Sequence, residues 1–300
     1  WMGLDDKDSR VITMCGMSAA FSALFGTPLT AAVFAMEVVS VGVMYYAAIV
    51  PCAIAAITGL WVAQACRVPG TAYSLAGVPD LGPVSLLQTV VMGALFALLS
   101  ILFCLMMHLA GHLYQRGFPN PVARGAAGGG VVIALTVLVW IWNPFSFDYN
   151  GAGEAVIHAA IEGQVRPEAF FLKILFTAAT LGAGFKGGEI VPAFFTGAAF
   201  GGTVAPLLGL DPSFGAGLGM VSVFCGVTNC PMTSLLMALE LFGGGSRGMF
   251  TGQSLCLFAV SIAVSYMLSG YYGLYSEQKI VYSKFRPEFI NRKANEDEPD

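Results

Sequence analysis

Gly184-Phe185-Lys186-Gly187-Gly188-Glu189-Ile190-Val191-Pro192-Ala193-Phe194-Phe195 decides how this chain is read. Long apolar stretches flank it on both sides. Gly187 and Gly188 free the backbone for a tight turn. Pro192 suits the first turn of a helix, where its missing N–H costs nothing. From Ala193 to Phe200 the residues are small and apolar, and the helix is expected to end near Thr203 because Pro206 cannot continue it. The stretch is a helix start inside an apolar chain. Such a start offers unpaired N–H groups and a partial positive charge, which together suit an anion.

Working outward, the composition places this helix start in a bilayer. Of 300 residues, 56% are hydrophobic and 11% charged, against about 25% charged in a soluble domain. Mean hydropathy is +0.74. The net charge of -4 argues against a nucleic-acid partner. Cysteines 15, 52, 66, 104, 225, 230 and 256 lie in or beside apolar stretches. They lack the paired spacing of a disulfide framework or zinc site, and read as small core residues. No basic leader with a cleavage site precedes the first apolar stretch, so no signal peptide is expected.

The apolar pieces are many and interrupted. Val11 to Phe25 is broken by Gly26-Thr27-Pro28, and a second helix runs on to about Val39. Tyr45 to Cys66 is long enough to span a bilayer, which takes about 20 residues. Arg67 to Pro83 is a Gly/Pro-rich loop, and Val84 to Tyr114 is one long helix, expected to tilt. Pro119 to Trp142 is a further span, opened by a flexible glycine stretch from Gly125 to Gly130. After a mixed segment to Gly163, a helix from Pro167 to Gly182 leads into the central motif. Phe214 to Val227, a break at Asn229-Cys230-Pro231, a short helix carrying Glu240, and a span from Met249 to Leu268 complete the apolar part. The tail holds Lys279, Lys284, Arg286, Arg292 and Lys293, which places the C-terminus in the cytoplasm by the positive-inside rule. Its acidic last residues are expected to be disordered. Broken helices at membrane depth are tolerated where protein or a water-filled cavity covers the freed backbone. That pattern favours a transporter or channel.

Two of the breaks match. Pro28-Leu29-Thr30 and Pro231-Met232-Thr233 are each followed, nine positions after the proline, by a carboxylate, Glu37 and Glu240. Duplicated halves with broken helices in corresponding places mark the binding site in many transporters. Pro192 lies 39 residues before Pro231, and 28 minus 39 falls before residue 1. The first-half partner of the central motif is therefore expected upstream of Trp1. The chain then holds the end of one inverted repeat, 1–67, a second repeat, 84–270, and a final segment, 271–300, with a last helix and a cytoplasmic tail.

Glu189 is the sharpest candidate for chemistry, as an ionisable residue at membrane depth. It is placed to gate an anion path, to carry a proton or to cap its own helix. Glu37 and Glu240 sit near helix ends, and their symmetry points to accepting backbone hydrogen bonds at a subunit contact. An aromatic ring is positive at its edge, so Phe194 or Phe195 can line an anion path. Lys186 can attract anions or snorkel to the interface. His108 and His112 stand at i, i+4, a spacing that can bind metal, but no third ligand is evident, and neither a metal nor a cofactor is expected. No nucleotide-binding loop and no nucleophile–base arrangement can be read, so no enzyme is expected.

On these residues the chain resembles the CLC family of chloride channels and anion/proton antiporters, over almost its whole length. Gly187-Gly188-Glu189-Ile190-Val191-Pro192 looks like the family's second-repeat helix start, and Pro28–Glu37 and Pro231–Glu240 like its paired helices. Gly273-Leu274-Tyr275-Ser276 looks like the start of its last helix, where a tyrosine hydroxyl reaches the central anion. The resemblance implies an all-α polytopic membrane protein with an inverted-repeat fold, a homodimer with one anion pathway per subunit, and a gating glutamate on the first repeat. Gly187, Gly188, Glu189, Ile190, Val191, Phe195 and Tyr275 are the implied anion-binding or gating residues. Pro28, Glu37, Pro231 and Glu240 mark the structural repeat.

A glutamate at position 189 resembles the fluoride/proton antiporter branch, where an aromatic residue at the position of Phe195 lines the path. Val38 stands where the chloride/proton antiporters often carry an internal proton-carrying glutamate. Val191 departs from the fluoride branch, which commonly has threonine there. The implied partners are fluoride or chloride ions, protons, the lipid bilayer and a second copy of the chain, in a plasma (inner) membrane.

Overall fold

The computed structural model describes residues 5–68, 70–243, 252–284 and 289–293. In chain order its helices are α1 (Asp6–Phe25), α2 (Pro28–Glu37), α3 (Ile49–Ala65), α4 (Pro83–Gly117), α5 (Pro121–Trp140), α6 (Glu154–Ile161), α7 (Ala169–Gly182), α8 (Ile190–Val204), α9 (Pro212–Thr228), α10 (Pro231–Gly243) and α11 (Gly252–Leu268). Three short strands, β1 (Ser40–Val41), β2 (Lys279–Tyr282) and β3 (Phe289–Lys293), form one sheet in that order. Among the described residues, four helical stretches, 46–65, 83–117, 121–140 and 190–208, are long and apolar enough to cross a membrane. At 1.5 Å per residue, the 35 residues of α4 extend about 52 Å, well beyond a hydrocarbon core of about 30 Å.

The breaks fall where the sequence places them. Gly26 ends α1 in the left-handed conformation, φ 72°, and Pro28 opens α2. Asn229, φ 59°, ends α9 and Pro231 opens α10. At each break a proline takes the first helical position, which leaves the amides of the next two residues to be satisfied from outside.

The carboxylates at the far ends of the same two helices satisfy them. Glu37, at the end of α2, accepts hydrogen bonds from the Met232 amide (3.0 Å), the Thr233 amide (2.8 Å) and the Thr233 hydroxyl, at the start of α10. Glu240 accepts from the Leu29 amide (3.0 Å) and the Thr30 amide (2.8 Å), at the start of α2. Each helix caps the other, antiparallel and reciprocally. The expected subunit contact is thereby corrected: the acceptor and donor helices belong to one chain. Charge-assisted bonds at a helix start are also favoured by the dipole.

A second close contact sets α8. A Cβ at Gly201 would lie 2.0 Å from the Gly215 carbonyl oxygen, and one at Gly219 would lie 2.2 Å from that of Gly197. The glycines four apart on α8 (197, 201) and on α9 (215, 219) let the backbones touch, the small-xxx-small device of membrane helices. Large rings fill the space around them, with Phe194, Phe195, Phe214 and Phe224 at most 1% exposed.

Three expectations change. The last helix expected from Tyr275 is absent: residues 275–278 form a turn, and β2 and β3 follow it. Lys279-Ile280-Val281-Tyr282 alternates, with Ile280 buried and its neighbours more exposed, and it pairs in parallel with β1 just beyond α2. Gly125 to Gly130 is not a flexible lead-in but lies within α5, because membrane helices tolerate glycine where small surfaces are useful. The mixed segment before Gly163 contains α6, eight residues long and too short to stand out as an apolar run. Gly244 and Gly245, whose residue type predicts the end of the segment carrying Glu240, and the acidic end of the tail lie outside the described residues.

Replacing Glu37 by alanine leaves two amides at the start of α10 without an acceptor, that of Thr233 buried and that of Met232 partly so. At about 1–3 kcal/mol for each orphaned donor, Glu37→Ala is expected to lose about 2–6 kcal/mol. Glu240→Ala should lose less, because Glu240 is more exposed than Glu37, which is 7% exposed. Thermal unfolding of the purified protein in detergent, comparing the two variants, checks both magnitude and order.

Candidate functional site: a cavity at the start of helix α8

Residue 189 is the N-cap of α8, and its side chain makes no capping hydrogen bond. The self-capping role considered for Glu189 is therefore not the one the structure gives it. Instead Glu189 lines a cavity of about 660 Å3 together with Gly187, Gly188, Ile190 and Val191. The opposite wall comes from α1 and α2 (Phe21, Phe25, Phe34) and from the tail, including Tyr275. Six of the seven sequence-derived anion residues thus line one space, although Tyr275 lies 86 positions beyond Glu189. The amides of the first turn of α8 have no partner within their own helix. The cavity therefore combines the positive end of the α8 dipole with one phenol, Tyr275, and two carboxylates, Glu189 and the exposed Glu277.

Phe195 is not with them. Its ring is fully buried and forms no part of that wall. It packs beside Gly153, where an added Cβ would come within 2.7 Å of the ring, and edge-on to Tyr149 at 6.3 Å. Over its face, at 4.8 Å, sits the ammonium of Lys173. That lysine, in the middle of apolar α7, is 1% exposed. Its Nζ donates to the Gly151 carbonyl at 2.6 Å and to the Tyr149 carbonyl at 3.3 Å. Carbonyl dipoles and a ring face thus hold the cation. Lys173 also lines a second cavity, of about 540 Å3, on the far side of Gly187, Gly188 and Val191. The sequence carries a signal for this residue, a lysine inside an apolar helix, whereas Lys186, beside the central motif, is exposed.

Tyr275 is held by the segment around it. The Leu274 amide donates to the Val227 carbonyl at 2.9 Å. The Gln278 amide group donates to the carbonyls of Val38 and Thr228, both at 2.9 Å, and its oxygen accepts from Asn229 at 3.1 Å. One side chain thereby joins the end of α2 to the end of α9. Lys284 adds hydrogen bonds to Asn229 Oδ1 at 2.6 Å and the Tyr266 carbonyl at 2.9 Å, and lies over the Tyr266 ring. Burial lowers its ammonium to about 8. His108, considered with His112 for a metal, has Nδ1 2.8 Å from the Cys104 carbonyl of its own helix.

An inverted pair of broken helices, a glycine-mediated helix crossing and a cavity of about 660 Å3 at a helix start define a membrane protein of the ion-pathway class. The family model described as voltage gated chloride channel matches residues 1–269. The chain belongs to this CLC family. It is 36% identical over 282 residues to a chloride/fluoride channel protein of Pseudomonas syringae pv. tomato, covering 93% of this chain and 60% of that protein. An H(+)/Cl(-) exchange transporter ClcA of Vibrio cholerae is 26% identical over 174 residues, 54% of this chain and 36% of that one. The crystal structure of a CLC-type fluoride/proton antiporter superposes with a TM-score of 0.81 at 31% identity, over 90% of this chain and 65% of that one. A slow cyanobacterial Cl-/H+ antiporter, at 17% identity and a TM-score of 0.68, over 90% of this chain and 63% of that one, shares the fold. The chain therefore spans less than two thirds of each of these proteins.

Gly153, φ 75°, sits in a left-handed conformation against the Phe195 ring. Gly153→Ala should both strain the backbone and displace the ring, at about 1–3 kcal/mol. Lys173→Met should leave the Gly151 carbonyl unpaired and raise amide hydrogen exchange across residues 149–153. Unchanged exchange there would mean that the lysine does not hold the segment.

Proposed function

We propose that this chain forms part of a CLC-type anion transporter, and that the transported anion is fluoride, moved in exchange for protons. The observation that carries this reading is the meeting of Glu189 and Tyr275 in one cavity at the start of α8. A helix start attracts an anion through its amides, a phenol hydroxyl can donate to it, and a carboxylate beside them can take up or release a proton. Membership of the family and likeness to a fluoride/proton antiporter support the same assignment. In this reading Gly187, Gly188, Ile190 and Val191 hold the anion by backbone, and Glu189 and Tyr275 control its passage. Phe195 then acts from behind the helix, through Gly153 and Lys173.

The reading brings further parts with it. The protein works as a homodimer in the plasma (inner) membrane, with its C-terminus on the cytoplasmic side. Residues 1–67 belong to one repeat and 84–270 to the other. α3 presents Val50, Ile54, Ile57 and Trp61, each at least 60% exposed, a face suited to lipid or to a second copy. A second reading, chloride transport, is favoured by one residue: Val191 puts no hydroxyl at the wall where the fluoride branch commonly has threonine.

Efflux from liposomes holding the full-length protein, followed with fluoride and chloride electrodes, tests the choice. Fluoride efflux should exceed chloride efflux, and Glu189→Gln should cut it by about tenfold or more, the scale of a proton-transfer group. Chloride efflux equal to or faster than fluoride efflux would leave the chloride reading in its place.

A further inference from the structure

A third, smaller cavity lies beside the first. It measures about 40 Å3 and is bounded by Thr71, Tyr73, Glu154, Ile157, His158, Phe194 and Met220, together with Leu24, Phe25 and Val191. That volume exceeds the roughly 10–15 Å3 that one water needs, and a polar wall is what keeps water in a cavity. The wall is polar on one side only. Glu154 and His158 stand one turn apart on α6, and both are exposed. Tyr73 is 5% exposed, with its ring 4.8 Å from that of His158. Its backbone is tied to α10 through the Leu241 carbonyl at 2.9 Å. The other side is apolar and thin. Val191 and Leu24 line this cavity and also the cavities of about 660 and 540 Å3, so these two side chains form the partition among all three.

We propose that Glu154, His158 and Tyr73 form a proton-loading site whose protons reach the anion cavity across the Val191–Leu24 partition. The inference rests on the proton-coupled reading above. The step is proton transfer alone. A proton from bulk water binds a lone pair of the Glu154 carboxylate or the His158 imidazole. It passes to a water in the small cavity as that water gives up one of its own protons, which crosses the partition and binds a lone pair of the Glu189 carboxylate, and the loading side chain returns to its starting form. No bond to carbon changes and no electron is transferred. Imidazole is the side chain whose charge ordinarily changes between about pH 5 and 8. Around His158 the titratable groups are Glu154 and Glu162 on its own helix and Tyr73 from the preceding segment. Helices α8 and α9, which pack against α6, bring only Val191, Phe194 and Met220 to this cavity. The three side chains therefore face the partition without a competing charge from those helices.

The test records fluoride efflux and the accompanying proton uptake in the same liposomes holding the full-length protein, between pH 5 and 8. Glu154→Gln and His158→Gln are each expected to lower proton uptake by about tenfold while fluoride efflux falls far less, so the proton-to-fluoride ratio drops and its pH profile flattens. Tyr73→Phe keeps the ring and removes the hydroxyl, and should give a smaller drop. Val191→Thr puts a hydroxyl into the partition and should raise proton uptake. Wild-type proton uptake in all the α6 and Tyr73 variants overturns the proposal. An equal fall of both fluxes overturns it too, since a merely structural role does that. Wild-type protein that moves fluoride without protons overturns the coupled reading itself, a different result from either.

Discussion

The reciprocal capping of α2 and α10 is the constraint on which the rest depends. In hydrocarbon, water cannot satisfy the amides freed where a helix is broken, and an orphaned donor there costs several kcal/mol. A buried carboxylate is equally unwelcome alone. Glu37 and Glu240 remove both problems at once, each serving the start of the helix that carries the other. The result fixes the spacing and the antiparallel direction of two helices drawn from distant parts of the chain. Helices α1 and α3 pack on α2, and α9 and α11 pack on α10.

From that frame the cavity follows. The glycines at 197, 201, 215 and 219 bring α8 into backbone contact with α9, and this places the start of α8 opposite α1. The tail is laid across the ends of α2 and α9 by Gln278, which puts Tyr275 on the facing wall. The electrostatics are unusual for a membrane interior: a lysine held by carbonyls and a ring, a free helix start, and a carboxylate that bonds no amide of its own helix. Positive features set beside carboxylates suit a pathway that anions enter but do not occupy permanently.

Much of the helical architecture was legible in the residues. The breaks at Gly26-Thr27-Pro28 and Asn229-Cys230-Pro231 announce themselves because Pro and Gly act on their own backbone. The matched glutamates nine positions on were visible too, but not their partners. Where the reading failed, local signals were weak or misdirected. The four-residue alternation of β2 is too short to outweigh a likeness to a helix start, and it becomes a strand only because Ser40 and Val41 offer an edge. Phe195 was grouped with the anion residues by its place in the motif, whereas packing against Gly153 and Lys173 turns it away from that cavity.

The sequence by itself determined that the chain lives in a bilayer, where its helices break, and that a glycine-rich helix start with Glu189 sits at its centre. All of these rest on composition or on the conformational limits of neighbouring residues. Only the tertiary structure decided which helix start each carboxylate serves, which side of α8 faces open space, and that Tyr275 meets Glu189. Glu37 and Met232 lie 195 residues apart. A contact at that separation depends on how whole helices pack, and no periodicity or motif in the chain encodes the pairing.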